Sequence, residues 1–351
     1  MAFLSIPQVA LKGISACVPG IIEENLDIAN IDPFAVEKLI KTTGIERRRV
    51  AGAEVCTSDL CYEAAKSLLE KLKWEKDEID ALIFVSQSPD YILPATSPIL
   101  QDRLGLSTNC LTIDISSGCS GFIYGLSLLG SYMQSGMIKK GLLLAGDTSS
   151  KMCSKEDKST YPLFGDAGTA TALAYTEDEE GFKFHLGSDG SGNQSINIRD
   201  GGCRHPFSPG SLDAKTVEEG ITRNALQLSL DGMDVFSFGI SKAPESVNEL
   251  LSRFDLQKDE IDFFYFHQAN MMMNERIRKK LQLLENKVPY SLKDFGNTSS
   301  ASIPLTMVTQ TGNTLKNGRH KIMACGFGVG LSWGSVYCET QNLVIPDLIK
   351  L

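Results

Sequence analysis

No C-x-x-C pair occurs among the nine cysteines, which are scattered from Cys17 to Cys338 in odd number. That excludes the ligand spacing of a zinc ribbon and a disulfide framework. No apolar run approaches the roughly 18 residues of a membrane span. Positive charge is in deficit: 34 Lys and Arg against 43 Asp and Glu leave a net charge of −9. A general nucleic-acid binder is thereby excluded, and only a local basic patch could serve an acidic partner. The first residues hold no basic segment leading into an apolar block, so no secretory signal is expected and a reducing cytoplasm fits best. Histidine is scarce, with only His185, His205, His267 and His320 available for acid–base or ligand roles. What remains is an ordinary soluble composition, 42% apolar and 22% charged, in a chain of 351 residues. That length suits two domains, or one large domain of duplicated halves.

The chain repeats itself. Lys76-Asp77-Glu78-Ile79-Asp80 precedes an apolar strand, Ala81 to Val85, and the same five letters return 182 residues later. There, Lys258-Asp259-Glu260-Ile261-Asp262 follows a helix expected over Ala243 to Phe254 and leads into a strand over Phe263 to Phe266. Gly141 to Gly146 echoes Lys321 to Gly326, and Gly118-Cys119 echoes Gly296-Asn297-Thr298 at nearly the same offset. Such self-similarity reads as an internal duplication. Strands alternate with helices in each half, and the strands are continuously apolar, so sheets covered on both faces are expected. The acidic stretch Glu177 to Glu180 has linker character and places the boundary near Thr176 to Gly181. The halves are then residues 1–178 and 179–351. Val9 to Cys17 reads as the first strand of one half and Phe182 to Leu186 as that of the other. Ile31 to Ile45 reads as a helix with Pro33 near its start and Gly44 as its stop, and Ser58 to Leu72 as another. The basic run Thr43 to Arg49 reads as a solvated loop, and His320 as a turn residue. Gly187 to Gly220, rich in Gly, Ser, Pro and Asn, is a long irregular loop, either functional or a surface insertion.

One stretch organises the rest. Leu111, Ile113 and Ile115 alternate with Thr112 and Asp114, the period of a strand. Ser116-Ser117-Gly118 breaks the pattern, and an almost wholly apolar helix begins after Cys119. Cys119 thus lies on a sharp strand-to-helix turn between Gly118 and Gly121, the shape of a nucleophile elbow. The helix N-terminus favours an anion there, so a thiolate near neutral pH is expected. A buried structural cysteine fits the same pattern. His267 ends the apolar strand Phe263 to Phe266, where α/β sheets gather their ligands, though a core histidine fits as well. Asn297 sits among small residues in the second copy of the elbow, where a plain turn asparagine is the alternative. By the duplication its loop faces that of Cys119 with His267 between them. Gly326-Phe327-Gly328-Val329-Gly330 has the flexibility to aim a backbone N–H at one spot.

Five segments now stand in order: Ile115-Ser-Ser-Gly-Cys119-Ser-Gly-Phe122, Phe164-Gly-Asp166-Ala-Gly168, Phe266-His267-Gln-Ala-Asn270, Gly296-Asn297-Thr-Ser-Ser-Ala-Ser-Ile-Pro304 and Gly326-Phe-Gly-Val-Gly330. In combination and spacing they resemble the β-ketoacyl-acyl carrier protein synthase III family, from Thr43-Gly44-Ile45 to Trp333-Gly334. The resemblance implies the α/β thiolase fold, two duplicated α/β halves in a five-layered αβαβα arrangement. It implies that Cys119 takes an acyl group from a thioester, with the backbone N–H groups of Cys119 and Val329 as oxyanion hole. It further implies that His267 and Asn297 stabilise the enolate formed when malonyl-acyl carrier protein loses carbon dioxide, and that Phe327 shields the carbanion. No metal or redox cofactor is implied; coenzyme A or carrier-protein thioesters are the substrates. A homodimer is implied as well, with Leu93 of Tyr91-Ile92-Leu93-Pro94 reaching the neighbouring subunit's acyl pocket.

Departures accompany the likeness. Lys38 and Thr42 stand where housekeeping members carry a tryptophan and an arginine that grip coenzyme A, and Met272 stands in place of an arginine on the carrier-protein face. Arg276, Lys279 and Lys280, at i, i+3 and i+4, form the candidate docking patch, with Arg278 pointing elsewhere. Two other readings share the scaffold: transfer of the acyl group to an oxygen, nitrogen or sulfur acceptor, and an inactive carrier-protein-binding partner subunit. Retention of both His267 and Asn297 favours condensation. The related hydroxymethylglutaryl-coenzyme A synthases use a glutamate near the end of the second strand, where this chain has Ser86-Gln87-Ser88. Starter length, the starter's carrier and the pathway (bulk fatty acid, surface polysaccharide or secondary metabolite) stay open.

Overall fold

The computed structural model describes residues 2–28 and 32–351. The chain opens with β1 (Ala2–Ile6), β2 (Val9–Val18), β3 (Ile22–Glu24), α1 (Pro33–Thr43), β4 (Arg47–Arg49) and α2 (Thr57–Leu72). There follow β5 (Ala81–Val85), α3 (Thr96–Leu104), β6 (Leu111–Ile115), α4 (Gly121–Met133), β7 (Lys140–Asp147) and β8 (Ala167–Tyr175). The second half begins with β9 (Phe182–Ser188), β10 (Ile196–Asn197), β11 (Lys215–Glu218), β12 (Ile221–Arg223), β13 (Ser229–Leu230) and α5 (Gly232–Arg253). It closes with β14 (Phe263–Phe266), α6 (Met271–Lys280), α7 (Leu292–Phe295), α8 (Ser302–Leu315), β15 (Arg319–Gly328), β16 (Ser332–Gln341) and β17 (Ile349–Lys350).

Two mixed sheets carry the molecule, in the orders β17-β2-β8-β7-β5-β6 and β1-β9-β16-β15-β14. In each, one parallel pair (β5 with β7, β14 with β15) continues into an antiparallel one (β7 with β8, β15 with β16). Helices α4 and α8 touch strands of both sheets, α2 packs on the outer face of the first and α5 on that of the second. This is the αβαβα sandwich. The core between the sheets joins Ile83, Val85 and Leu143 to Ile123, Ile303, Phe184 and Ala324. Both faces of each sheet are thereby covered, which is why these strands are apolar on consecutive residues.

The repeat is visible in detail. Asp80 takes the N–H groups of Lys139 (2.6 Å) and Lys140 (3.1 Å), and Asp262 takes that of Lys321 (2.8 Å). Lys140 reaches Glu78 and Lys321 reaches Glu260, each at 2.6 Å. The terminal strands cross between the sheets: β1 pairs with β9, and β17 near the C-terminus pairs with β2. Val9 to Cys17 is therefore not the first strand; Ala2–Ile6 precedes it.

Four further expectations are corrected. Helix α5 starts at Gly232, eleven residues before the expected Ala243, because Asp231 caps it by accepting the N–H groups of Met233 and Asp234 (both 3.0 Å). Pro244 lies buried inside that helix, not at its start. The helix expected over Ile31 to Ile45 spans Pro33–Thr43, ending on left-handed Gly44 (φ 72°); Ile31 lies outside the described residues. Finally, the basic run is no solvated loop. Arg48 is wholly buried and donates to Asn25 Oδ1, to the carbonyls of Tyr161 and Phe164, and to Glu23. His320 is the second residue of β15, and its Nε2 meets the carbonyls of Thr314 and Asn317 where α8 ends.

Candidate active site

Cys119 lies just before α4, on the turn closed by the Gly121 N–H and the Gly118 carbonyl (2.6 Å). Close approach demands glycine here: a Cβ on Gly121 would sit 2.5 Å from a Val85 methyl, and one on Gly328 would sit 2.8 Å from Cys119 Sγ. Cys119 is buried. Burial, followed by the Asp147 carboxylate, pushes its thiol up to about 11, against the pull of the Val329 N–H, the Ser299 hydroxyl and its own N–H. The expected thiolate at neutral pH is thus corrected. Helix-end polarity reaches the sulfur, but desolvation of a charge inside a closed cavity is the larger effect. Cys119 rests as a thiol.

His267 follows β14, its N–H held by the Cys325 carbonyl (2.9 Å) and its Nδ1 by Ser302 Oγ (2.8 Å). It is 2% exposed, and burial drives its pKa down to about 3, so the imidazole is neutral. If the Ser302 hydroxyl donates to Nδ1, the hydrogen of the neutral imidazole lies on Nε2. Asn297 is fixed by main-chain bonds to Leu163 (2.8 Å) and Gly165 (3.1 Å). Its Oδ1 accepts the Ser299 N–H (2.9 Å), which leaves the NH2 as donor.

Phe327 is 1% exposed and meets the His267 ring edge-on, 5.5 Å between centroids. The Val329 carbonyl is taken by Ser332 Oγ (2.7 Å), itself 2.7 Å from Ser120 Oγ, and the Val329 N–H faces Cys119. Cys119, His267, Asn297, Phe327 and Val329 all line one inner cavity of about 60 Å3. Leu230, Val235, Ala269 and Asn297 also line an adjoining outer cavity of about 500 Å3. Lys38, Thr42, Glu218 and Ile221 form part of that outer wall, so α1 and the β11–β12 hairpin of the long loop border the opening.

Other expected residues lie outside this centre. Leu93 is 84% exposed and does not line the cavity of its own chain. Arg276, Lys279 and Lys280 share a surface groove with Met272, which also lines the outer cavity. Arg278 is buried, bridging Glu275 (2.8 Å) and Glu285 (3.1 Å). Among the described residues no cluster of three or more His, Cys, Asp or Glu side chains is arranged to hold a metal, and no helix is long and apolar enough to cross a membrane.

Sequence reasoning missed Asp147, the only acid lining the inner cavity, and Ser302, the partner of His267. The rule that singles out His267, a polar residue ending an apolar strand, applies equally to Asp147 at the end of β7. Asp166, inside a quoted segment, accepts the N–H groups of Ala51 (2.7 Å) and Ser150 (2.9 Å) and so braces the loop behind the cavity.

Comparison with known proteins agrees with this fold. Residues 113–190 match the family described as 3-Oxoacyl-[acyl-carrier-protein (ACP)] synthase III, and residues 251–340 match its C-terminal counterpart. The Beta-ketoacyl-[acyl-carrier-protein] synthase III of Streptococcus mutans is 33% identical over 339 residues, covering 96% of this chain and 99% of that protein. A crystal structure of 3-oxoacyl-(acyl-carrier protein) synthase from Burkholderia xenovorans superimposes with a TM-score of 0.93 at 38% identity, covering 100% of this chain and 99% of that one. The priming β-ketosynthase of the R1128 polyketide pathway, 23% identical with a TM-score of 0.80 and coverage of 96% and 98%, shares the fold. With relatives matched over nearly their whole length, and a fold of two duplicated sheets around one cysteine-bearing cavity, this chain belongs to the 3-oxoacyl-[acyl-carrier-protein] synthase III family.

Proposed function

We propose that this protein is an acyltransferase of the condensing type, joining an acyl thioester to malonyl-acyl carrier protein by decarboxylative Claisen condensation. The Cys119 thiol attacks the acyl thioester carbonyl; the oxyanion is bound by the N–H groups of Cys119 and Val329, and the departing carrier thiol leaves with the proton. The malonyl thioester then presents its carbonyl oxygen to the Asn297 NH2 and the His267 N–H. As the bond to the carboxylate breaks, its electron pair passes into the enolate those two donors stabilise. The carbanion attacks the acyl-cysteine carbonyl, and Cys119 leaves as thiolate and regains a proton. Phe327, against the His267 ring, keeps water from the carbanion. No step uses a metal or redox group.

The observation that carries this reading is one cavity lined by a thiol, a neutral imidazole and a free amide donor, with a backbone N–H aimed at the sulfur. A neutral imidazole donates a hydrogen bond without being spent as an acid, which suits an enolate. Transfer to an oxygen, nitrogen or sulfur acceptor leaves the paired donors without a task. The division of labour follows the duplication: residues 1–178 supply the nucleophile and 179–351 the enolate donors. The exposed Tyr91-Ile92-Leu93 strip fits a second copy of the chain, with Leu93 entering the neighbour's acyl pocket; light scattering that gives a monomer at working concentration counts against it. Intact-protein mass spectrometry with a panel of acyl thioesters tests the whole reading. Acyl mass on Cys119, followed by its loss with malonyl-carrier protein to give a β-ketoacyl product, is the expected result.

A further inference from the structure

Asp147 ends β7 beneath the nucleophile, with no surface exposed. Its Oδ1 accepts the Gln87 N–H (2.7 Å) and Ser86 Oγ (3.1 Å), both just beyond β5 in the first half. Its Oδ2 accepts the Ser300 N–H (3.1 Å) and Ser300 Oγ (2.7 Å), both from the second half. Backbone N–H groups only donate, which favours the ionised carboxylate, while burial pushes the carboxyl's pKa up against the pull of the Gln87 and Ser300 N–H groups and the Ser300 and Ser299 hydroxyls. Among the described residues no cation pairs with it. A buried carboxylate without a counter-ion is costly, and the bonds from Gln87, Ser86, Ser300 and, at 3.5 Å, Ser88 Oγ offset that cost.

The far end of this bridge is the segment that shapes the site. The Ser299 N–H holds Asn297 Oδ1. The Ser299 carbonyl faces the His267 ring, and the Ser299 hydroxyl faces both Cys119 and Asp147. Ser299 adopts φ 50°, a left-handed conformation that a serine keeps only when its surroundings enforce it. Two bonds to Ser300 from a wholly buried carboxyl group are such an enforcement.

We propose that Asp147 is the positioning residue that ties the Ser299–Ser300 segment, and with it Asn297 and the His267 ring, in register with Cys119 across the two halves of the fold. This rests on the condensing reading for its rate measurement. The proposal has an unusual sign. In its ionised form Asp147 opposes thiolate formation at Cys119 while it aligns the enolate donors. A residue that merely holds the fold would support both.

The titratable groups facing Cys119 are Asp147 from β7 and His267 after β14; the remaining walls, Gln87, Ser149, Ser299, Phe327 and Val329, do not titrate. Cys61 on α2 is the other group whose thiol Asp147 pushes up, so alkylation must be mapped to Cys119 by mass. The full-length protein is treated with iodoacetamide across a pH series, and malonyl-thioester decarboxylation is measured alongside. In Asp147→Asn the alkylation midpoint should fall by about one pH unit or more, while decarboxylation falls about a hundred-fold through misplaced donors. Ser300→Ala keeps the charge and loosens the tether, so the midpoint stays put while decarboxylation falls about ten-fold. Both activities falling together in folded Asp147→Asn, or decarboxylation within about two-fold of the parent in either variant, overturns the proposal. Should Asp147→Asn not fold, Ser300→Ala decides. Should the parent protein itself not decarboxylate malonyl thioesters, the condensing reading fails, and a crystal structure of Asp147→Asn decides instead: an unmoved 297–300 segment overturns the positioning role.

Discussion

The two halves of this molecule are near copies at one end of their sheets and unlike at the other. At the first end Lys140 meets Glu78, and Asp80 ties down the start of β7; Lys321 meets Glu260, and Asp262 ties down the start of β15 in the same way. At the other end the strands release into different chemistry: a cysteine on a helix-start turn in the first half, an asparagine loop and a strand-end histidine in the second. A pairing that only holds strands together tolerates repetition. A reaction that needs a nucleophile on one side and donors on the other requires the copies to differ, and a sheet edge is where side chains change without disturbing packing.

Changes at the unlike end should dominate any measurement of activity. Cys119→Ala should abolish acylation by every thioester tried, read as the absence of acyl mass; acyl mass mapping to Cys153 or Cys325 would refute the assignment. His267→Ala and Asn297→Ala should still self-acylate, yet lose about a hundred- to a thousand-fold in malonyl decarboxylation, the scale of a removed transition-state donor. Acylation lost with decarboxylation intact would reverse the roles of the two halves.

The histidine also makes a pH statement. Burial lowers His267 to about 3 from its usual 6.5, so the decarboxylation profile should show no inflection from this group between pH 5 and 8, roughly. For stability the sign runs the same way. Because the unfolded chain takes up the proton first as pH falls, the folded protein is at full advantage above 6.5 and loses it toward pH 3. A His267→Gln protein should lose less stability over that window in urea titrations, and an equal slope would show that the imidazole is charged in the fold.

Smaller effects belong to the surface. Charge reversal at Lys279 and Lys280 should raise the Michaelis constant for malonyl-carrier protein several-fold, fading with salt, and leave a small malonyl thioester untouched. Equal loss on both substrates would make α6 a structural helix alone. Smallest of all should be the repeated ion pairs. Lys140→Ala and Lys321→Ala break half-exposed contacts, so each should cost about 0–1 kcal/mol by denaturant titration and leave activity unchanged. A large loss at one and not the other would break the symmetry between the copies.

Sequence alone determined the duplication, the strand and helix alternation and the candidates Cys119, His267 and Asn297. Each rests on local grammar: five repeated letters, a period of two ending in Ser-Ser-Gly, a polar residue closing an apolar strand. Even the bounds of β5 and β14 follow from that grammar, since a buried strand is apolar along its whole length. Only the tertiary structure decided the rest. The exchange of β1 and β17 between sheets depends on partners more than 170 residues away, which no local pattern encodes. Arg48, one of three arginines in a row, is buried because carbonyls from Tyr161 and Phe164 and the side chains of Asn25 and Glu23 converge on it. The resting state of Cys119 turned on the same kind of fact. A helix start promised a thiolate, but the walls that close over the sulfur come from residues 87, 147, 299 and 328, and desolvation by them outweighs the dipole of one helix.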